Sequence, residues 1–272
     1  MSNPHLRHAL KYRGGRMLLS FQHGLGDLIN FLPLFMYLPK HYSNWKFSLA
    51  LNFKMGMQAI VPIKGLYDIN ERTLWPRFDF MYRVQYPEPS VIDTVSKPLI
   101  CAREEFGIDP ANVAWSPVQL HPRKAFSRDP RRVGIHFFGH TSPHNKSCTT
   151  DLASVLWDEL FEAGFHPFEI QMQKPGQDVE RLPFITPANS LRYQPANLQV
   201  MVDFLHSCQW FVGIDSGPLY TAIASIGSDR CVAMELKNRV QNYAPCDITS
   251  VSIEGYQRGS LVKTLQGKEG KP

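Results

Sequence analysis

The chain has 272 residues, 43% hydrophobic and 19% charged, with a formal net charge of +5. That length suits two modest α/β domains better than one small core. The mild basic excess is compatible with phosphate-bearing substrates, anionic membrane surfaces or nucleic acid and selects none of them.

In chain order, Arg7, Lys11, Arg13 and Arg16 come before any acidic residue. Two readings stand: a frayed basic tail, or an arm that touches an anionic acceptor. The same opening stretch lacks the apolar core of a signal peptide. Residues 16–21 (RMLLSF) predict a first strand, followed by the turn QHGLGD and an apolar helix from Leu28 to Leu38. Residues 46–51 and 78–84 predict further strands, and 91–108 is partly helical with Pro98 interrupting it. Strand, helix, strand in this order predicts a parallel sheet with helices on its faces.

The period lapses over 116–132, which has three prolines and several charges and reads as a linker. The alternation then restarts. Strands are expected at 132–138, 168–173, 210–214 and 231–235, and helices at 150–164, 195–208 and 218–227. The expected organisation is an N-terminal domain over 1–120, a C-terminal domain over 131–262 and a polar tail over 263–272. No stretch approaches the roughly 18–20 apolar residues of a membrane span. Five cysteines (Cys101, Cys148, Cys208, Cys231 and Cys246) without CxxC spacing predict reduced thiols in a cytoplasmic protein.

In parallel α/β sheets ligands bind beyond the carboxyl ends of the strands, so the loops after strands hold the candidate sites. The first is HGLGDL (23–28). Gly24 and Gly26 allow a tight turn and close backbone approach. Asp27 stands near a helix start, either as an N-cap or as a general base. A dinucleotide fingerprint would need a third glycine where Ile29 and Asn30 lie, and an acidic residue closing the second strand; both are missing.

The second site is HFFGHTSPHNKSCTTD (136–151). His136, His140, His144 and Cys148 recur every fourth residue, but Gly139 and Pro143 argue against the helix that would align them on a metal. Lys146 can serve a phosphate as a point charge, or simply be solvated. The third is IDSGPLY (214–220). Ser216 suits an N-cap, Pro218 a first helical turn, and Gly217 leaves amides uncovered; amides plus the helix dipole make an anion site. The plainer alternative is a structural strand-to-helix turn. With no DxD pair in the sequence, a bound diphosphate would be met by helix amides and basic side chains, without a metal.

These three motifs, in this order, resemble the glycosyltransferase family 9 proteins, the lipopolysaccharide heptosyltransferases and their relatives. The similar stretches are GLGDLINFLPLF, VGIHFFGHTSPHNKSCTTDLASVLWDEL and FVGIDSGPLYTAIASIG, within residues 16–235. The resemblance implies the GT-B fold: two Rossmann-like α/β domains facing a cleft, here with a reduced N-terminal domain. It implies a metal-independent transferase that needs no cofactor and uses a nucleotide-diphosphate sugar as donor. Asp27 matches the aspartate thought to deprotonate the acceptor hydroxyl. Lys146 matches a lysine near the donor phosphates, and Asp215, Ser216 and Gly217 match the donor-binding turn. Gly24, Gly26 and Tyr220 complete the expected donor-side set, Tyr220 standing where the family commonly has histidine. Residues 235–245, ELKNRVQNYAP, replace the family's usual Gly and PTDP-like loop, so the donor is not fixed as ADP-heptose.

The expected acceptor is a lipopolysaccharide-like, lipid-linked or other glycan, with work in the cytoplasm or at the inner-membrane surface. One alternative is a hydroxylated base in DNA, suggested by the basic first residues and by Arg72, Trp75, Arg77, Phe78, Tyr82, Arg83 and Tyr86; the plainer reading of that cluster is core strand with solvated edges. Others are a non-catalytic nucleotide-sugar binding protein and a sugar-nucleotide epimerase.

Overall fold

The structure is a computed structural model that describes residues 4–51, 63, 65–69, 72–85, 97–139, 147–171, 192–235 and 247–269. The chain divides into two compact units, with the change between Val118 and Gln119.

The first unit opens with helix α1 (Pro4–Tyr12) and is built on strands β1 (Gly15–Phe21), β2 (Trp45–Leu51), β3 (Leu66–Asp68) and β4 (Phe80–Arg83). The sheet order is β3-β2-β1-β4, with every pair parallel. Between β1 and β2 runs helix α2 (Leu25–His41), which buries Leu28, Ile29, Phe31, Leu32, Leu34, Phe35 and Leu38. That burial lets it carry Pro33 and Pro39 internally, although an interior proline removes a hydrogen bond and costs about 3 kcal/mol. Helix α3 (Lys97–Cys101) runs on into a π-helical turn over Ala102–Phe106 and stops at Gly107, whose φ of 67° suits glycine. Pro98 does not interrupt this helix. It sits in the first turn, where its missing N–H leaves no bond unmade.

The basic opening is neither a frayed tail nor a loose arm. α1 buries Leu6, Ala9 and Leu10, and each buried leucine contributes roughly 1.5–3 kcal/mol. Arg7 donates to the Arg103 and Glu104 carbonyls at 2.7 and 2.6 Å, so its charge meets a helix end inside its own unit.

The second unit contains β5 (Asp129–His136), helix α4 (Thr150–Glu162), β6 (His166–Ile170), β7 (Arg192–Tyr193), helix α5 (Leu198–Ser207), β8 (Cys208–Ile214), helix α6 (Gly217–Ile226), β9 (Cys231–Glu235), β10 (Thr249–Ser252) and helix α7 (Ser260–Glu269). Its parallel sheet has the order β10-β9-β8-β5-β6-β7. Val133, Ile135, Val212, Ile214, Val232 and Met234 carry its core with Ala153, Leu156 and Leu160 of α4.

Two expectations are corrected here. From Gln119 on, the stretch read as a linker is pinned to the second unit: the Leu120 amide donates to the Ala224 carbonyl at 2.8 Å, and the Arg123 guanidinium reaches Asp203 at 2.6 Å. Leu120 itself is fully buried and anchors a stretch that is otherwise mostly exposed. Of the stretch read as a polar tail, residues 263–269 belong to α7, which buries Leu261 and Leu265. It is held by Glu159, whose buried carboxylate accepts from the Gly259 amide and the Tyr256 hydroxyl, both at 2.7 Å. Two leucines one turn apart carry too weak a period to be seen in so polar a segment.

Both units wind the same way. The chain lays down strands on one side of the first strand, then returns to its other side. Each sheet therefore has a switch point, between β1 and β4 and between β5 and β8, where the loops part and leave room for a ligand.

Candidate active site

In the first unit the loop after β1 is Gln22-His23-Gly24, and α2 starts on Gly24 as N-cap, with φ −67° and ψ 166°. Gly26 is buried in the first turn. Asp27 is in that turn and not at the cap position, which Gly24 holds. It faces Lys97, the first residue of α3, with Lys97 Nζ 3.5 Å from Asp27 Oδ1 and the side chains 13% and 28% exposed. His23 spans the switch point: its Nε2 lies 3.3 Å from the Val84 carbonyl just beyond β4. That carbonyl can only accept, so Nε2 carries the hydrogen. Burial lowers the His23 pKa, with Lys97 and Arg83 pushing the same way and the Val84 carbonyl and Asp27 opposing. The imidazole is thus neutral at physiological pH.

Sequence reasoning passed over His23 and Lys97. His23 precedes the glycine turn and carries no spacing signal of its own. Lys97 comes from a distant, partly helical segment, and only the sheet's winding brings it to Asp27.

In the second unit β8 ends at Ile214 and α6 starts on Ser216 as N-cap. The Ser216 hydroxyl does not cap; it donates back to the Ile214 carbonyl at 3.1 Å. Pro218 has no N–H, and the Leu219 and Tyr220 amides reach the Ser216 carbonyl at 3.1 and 3.3 Å. The uncapped donors of the turn are therefore the amides of Ser216 and Gly217. α6 is buried from Pro218 to Ile226, so packing fixes the helix behind this half-exposed N-terminus. Gly213 of β8 is needed for close packing, since a Cβ there would meet a Phe211 ring carbon at 2.7 Å and the His136 carbonyl at 3.2 Å.

Asp215 is buried and accepts from the Tyr220 hydroxyl at 2.8 Å. The sequence places Tyr220 among the donor-side contacts. Its one hydroxyl proton is given to Asp215 and so is not offered to a phosphate at the same time. Among the described residues it acts on Asp215.

Lys146, His140 and His144 lie outside the described residues. The described residues on either side of 140–146 are joined: the Gly139 amide donates to Ser147 Oγ at 2.9 Å, and the Cys148 amide to the Phe137 carbonyl at 3.0 Å. His136 is buried in β5 with Nδ1 2.8 Å from the Ile170 carbonyl. Burial pushes the Cys148 thiol up to about 12, far from the thiolate a metal would need. Among the described residues no three His, Cys, Asp or Glu side chains are grouped so as to hold a metal ion.

Two aromatic residues of the β4 cluster and its approach are engaged within the first unit. Tyr82 is buried and its hydroxyl donates to the buried Glu105 carboxylate, while Phe78 packs edge-on against Tyr67. Tyr86 lies outside the described residues. Cys101, Cys148, Cys208 and Cys231 are buried and unpaired in disulfides. No described helix is long and apolar enough to cross a membrane.

No protein-family model matches the chain, and a search of the curated proteins gives no match. Solved structures do match. The iron-containing dodecameric glycosyltransferase TibC from enterotoxigenic E. coli H10407 is similar with a TM-score of 0.63 at 18% identity, over 88% of this chain. The chain spans just under two thirds of TibC, 64% of its length. The E. coli ADP-heptose lps heptosyltransferase II is similar with a TM-score of 0.64 at 13% identity, over 93% of this chain and 98% of that one. The glycosyl transferase family 9 protein from Veillonella parvula DSM 2008 gives 0.60 at 14% identity, over 96% and 92%. What is shared at these identities is the fold: this chain has the GT-B type α/β fold of those glycosyltransferases, two Rossmann-like units each built on a parallel sheet.

Proposed function

We propose that the protein is a glycosyltransferase that moves a sugar from a nucleotide-diphosphate donor to an acceptor hydroxyl. The observation that carries this reading is the uncapped, rigidly packed start of α6 at the switch point of the second sheet. Two amides and the positive end of a helix dipole face the space where that sheet's ligand is expected, and such an arrangement favours a diphosphate. The donor named for the E. coli heptosyltransferase, ADP-heptose, is the first to test, and its named acceptor class, lps, is the first acceptor.

In the proposed reaction the acceptor oxygen attacks the anomeric carbon and Asp27 takes its proton. The bond from that carbon to the diphosphate oxygen breaks, and the nucleoside diphosphate leaves with the electron pair. The Ser216 and Gly217 amides stabilise the charge that develops on it, with Lys146 as the proposed cationic partner. Asp215, held by Tyr220, accepts from a ribose or sugar hydroxyl; a carboxylate would repel the diphosphate itself. Gly24 and Gly26 serve the turn that presents Asp27. The reaction is proposed to need neither metal nor cofactor and to run in the cytoplasm, where activated sugars are supplied. Iron is part of TibC by name, and activity that survives chelation would set this protein apart from an iron-dependent one.

Nothing observed favours the DNA reading, since α1 is docked and Tyr82 is in the core. The test is a thermal-shift screen over nucleoside diphosphates and nucleotide sugars, followed by product analysis with lipopolysaccharide precursors. A ligand at a hundred times its Kd adds about 2.7 kcal/mol to the native state. A rise in melting temperature with one nucleoside diphosphate family supports the donor site. No rise with any of them removes it.

A further inference from the structure

Asp27 carries the proposed proton transfer, yet a carboxylate has two oxygens and a freely turning side chain, and catalysis by a base requires one of them to be held towards its proton. The two oxygens of Asp27 have different surroundings. Oδ1 is 3.5 Å from Lys97 Nζ, and Lys97 is largely buried at 13% exposure. Oδ2 lies over Gly24: a Cβ placed on that glycine would come 3.7 Å from it. Among the described residues no hydrogen bond reaches Oδ2, whereas Oδ1 has the ammonium.

We infer that Lys97 is a positioning residue for the base: it holds Oδ1, and so presents Oδ2, across the bare face of Gly24, as the atom that takes the acceptor's proton. This rests on the glycosyltransferase reading of Asp27. An exposed pair of this kind would contribute little and would fix no geometry. This pair differs because both partners are anchored at helix starts, Asp27 in the first turn of α2 and Lys97 as the first residue of α3. The backbones of both are set by buried elements, so the side chains have little freedom to separate. Gly24 has φ −67°, a conformation any residue adopts, so nothing in the backbone demands glycine there. Its lack of a side chain instead leaves Oδ2 approachable.

Three variants test this: Lys97→Gln, Lys97→Arg and Gly24→Ala. The first readout needs no activity. His23 sits among Asp27, Lys97, Arg83 and the Val84 carbonyl, and the Lys97 charge lowers its pKa. An NMR titration of the His23 ring is therefore expected to give a higher pKa in Lys97→Gln than in the wild type. An unchanged value would take Lys97 away from this cluster and overturn the inference.

The second readout is release of ADP from ADP-heptose with a lipopolysaccharide precursor as acceptor. Lys97→Gln is expected to lower kcat about tenfold to a hundredfold, the scale of a misplaced reacting group, with donor KM within about twofold. Lys97→Arg should recover most of that loss. Gly24→Ala makes only an ordinary contact with Oδ2, so it should stay folded with only the small drop in melting temperature of a poorer N-cap, and lower kcat about tenfold. Full kcat in Lys97→Gln, or full kcat in Gly24→Ala, would each defeat the assignment of Oδ2. A wild-type protein that releases no ADP from any nucleotide sugar instead overturns the glycosyltransferase reading, and the His23 titration still decides whether Lys97 governs the cluster.

Discussion

The two switch points share one winding and carry opposite chemistry. At the first, between β1 and β4, the groups are charged and partly open: Asp27 against Lys97, with the neutral His23 bridging to Val84. At the second, between β5 and β8, the groups are buried and joined by a hydrogen bond: Tyr220 to Asp215, below a helix start left without a side-chain cap. Proton transfer needs a base that an acceptor can reach, and anion binding needs donors fixed before the ligand arrives. The difference teaches that one backbone plan supplies the place for a ligand, while the residues after each central strand decide what is done there.

The strongest attack on this contrast is Asp27→Asn. It keeps the shape and removes the basic oxygen, so kcat should fall about 10²–10⁴-fold, while binding of the nucleoside diphosphate, followed by calorimetry, stays as in the wild type. A parallel loss of binding would mean that Asp27 belongs to the donor site.

Tyr220→Phe tests the other side. It leaves the buried Asp215 carboxylate without that hydroxyl, at about 1–3 kcal/mol. Donor affinity is expected to fall more than kcat. If kcat alone fell, Asp215 and Tyr220 would belong with the chemistry.

The third comparison is between two helix starts in the same unit. Asn197 caps α5 in the usual way, its Oδ1 accepting from the Val200 amide at 3.0 Å. Asn197→Ala should therefore cost about 1 kcal/mol in urea unfolding. Ser216 makes no such bond, and Ser216→Ala should cost less than half as much. Equal costs would show that Ser216 caps its helix after all, and the start of α6 would then be less open to an anion.

The smallest expected effect separates site from scaffold. Burial by itself raises the Asp203 pKa, but the Arg123 amide and guanidinium and the Gln199 amide together outweigh it, so the folded value is lowered. A carboxyl with a lowered folded value contributes stability above its unfolded pKa of about 3.9, and that contribution is lost as pH falls through the folded value. Asp203→Asn should thus flatten the fall in stability below about pH 4 and leave donor binding at pH 7 unchanged. A slope identical to the wild type would remove Asp203 from the acid response.

Much of the molecule is legible in its sequence. β1, β2, β8 and β9 stand out as apolar runs of strand length, and both glycine-bearing joins, 24–27 and 215–217, are visible as strand-to-helix turns. The rest is hidden for identifiable reasons. α1 has three buried residues in a strongly basic stretch, so its charge masks its apolar face. Pro98 reads as a breaker until its place in a first helical turn is known. Asp27 and Ser216 both read as caps, and neither caps, because Gly24 starts one helix and the Ser216 hydroxyl turns back to Ile214.

By itself the sequence determined the α/β alternation, the order of the motifs and the residue types after each central strand. These are set by local period and turn chemistry, which a chain carries in its neighbouring residues. Only the tertiary structure decided the partners: Lys97 for Asp27, the Val84 carbonyl for His23, Glu159 for the last helix. Asp215 and Tyr220 are near in sequence, yet their bond too depends on α6 packing with Tyr220 turned inward. Partners of this kind are set by the return of the chain to the far side of a central strand and by which helix face is buried, and neither is written in any local stretch.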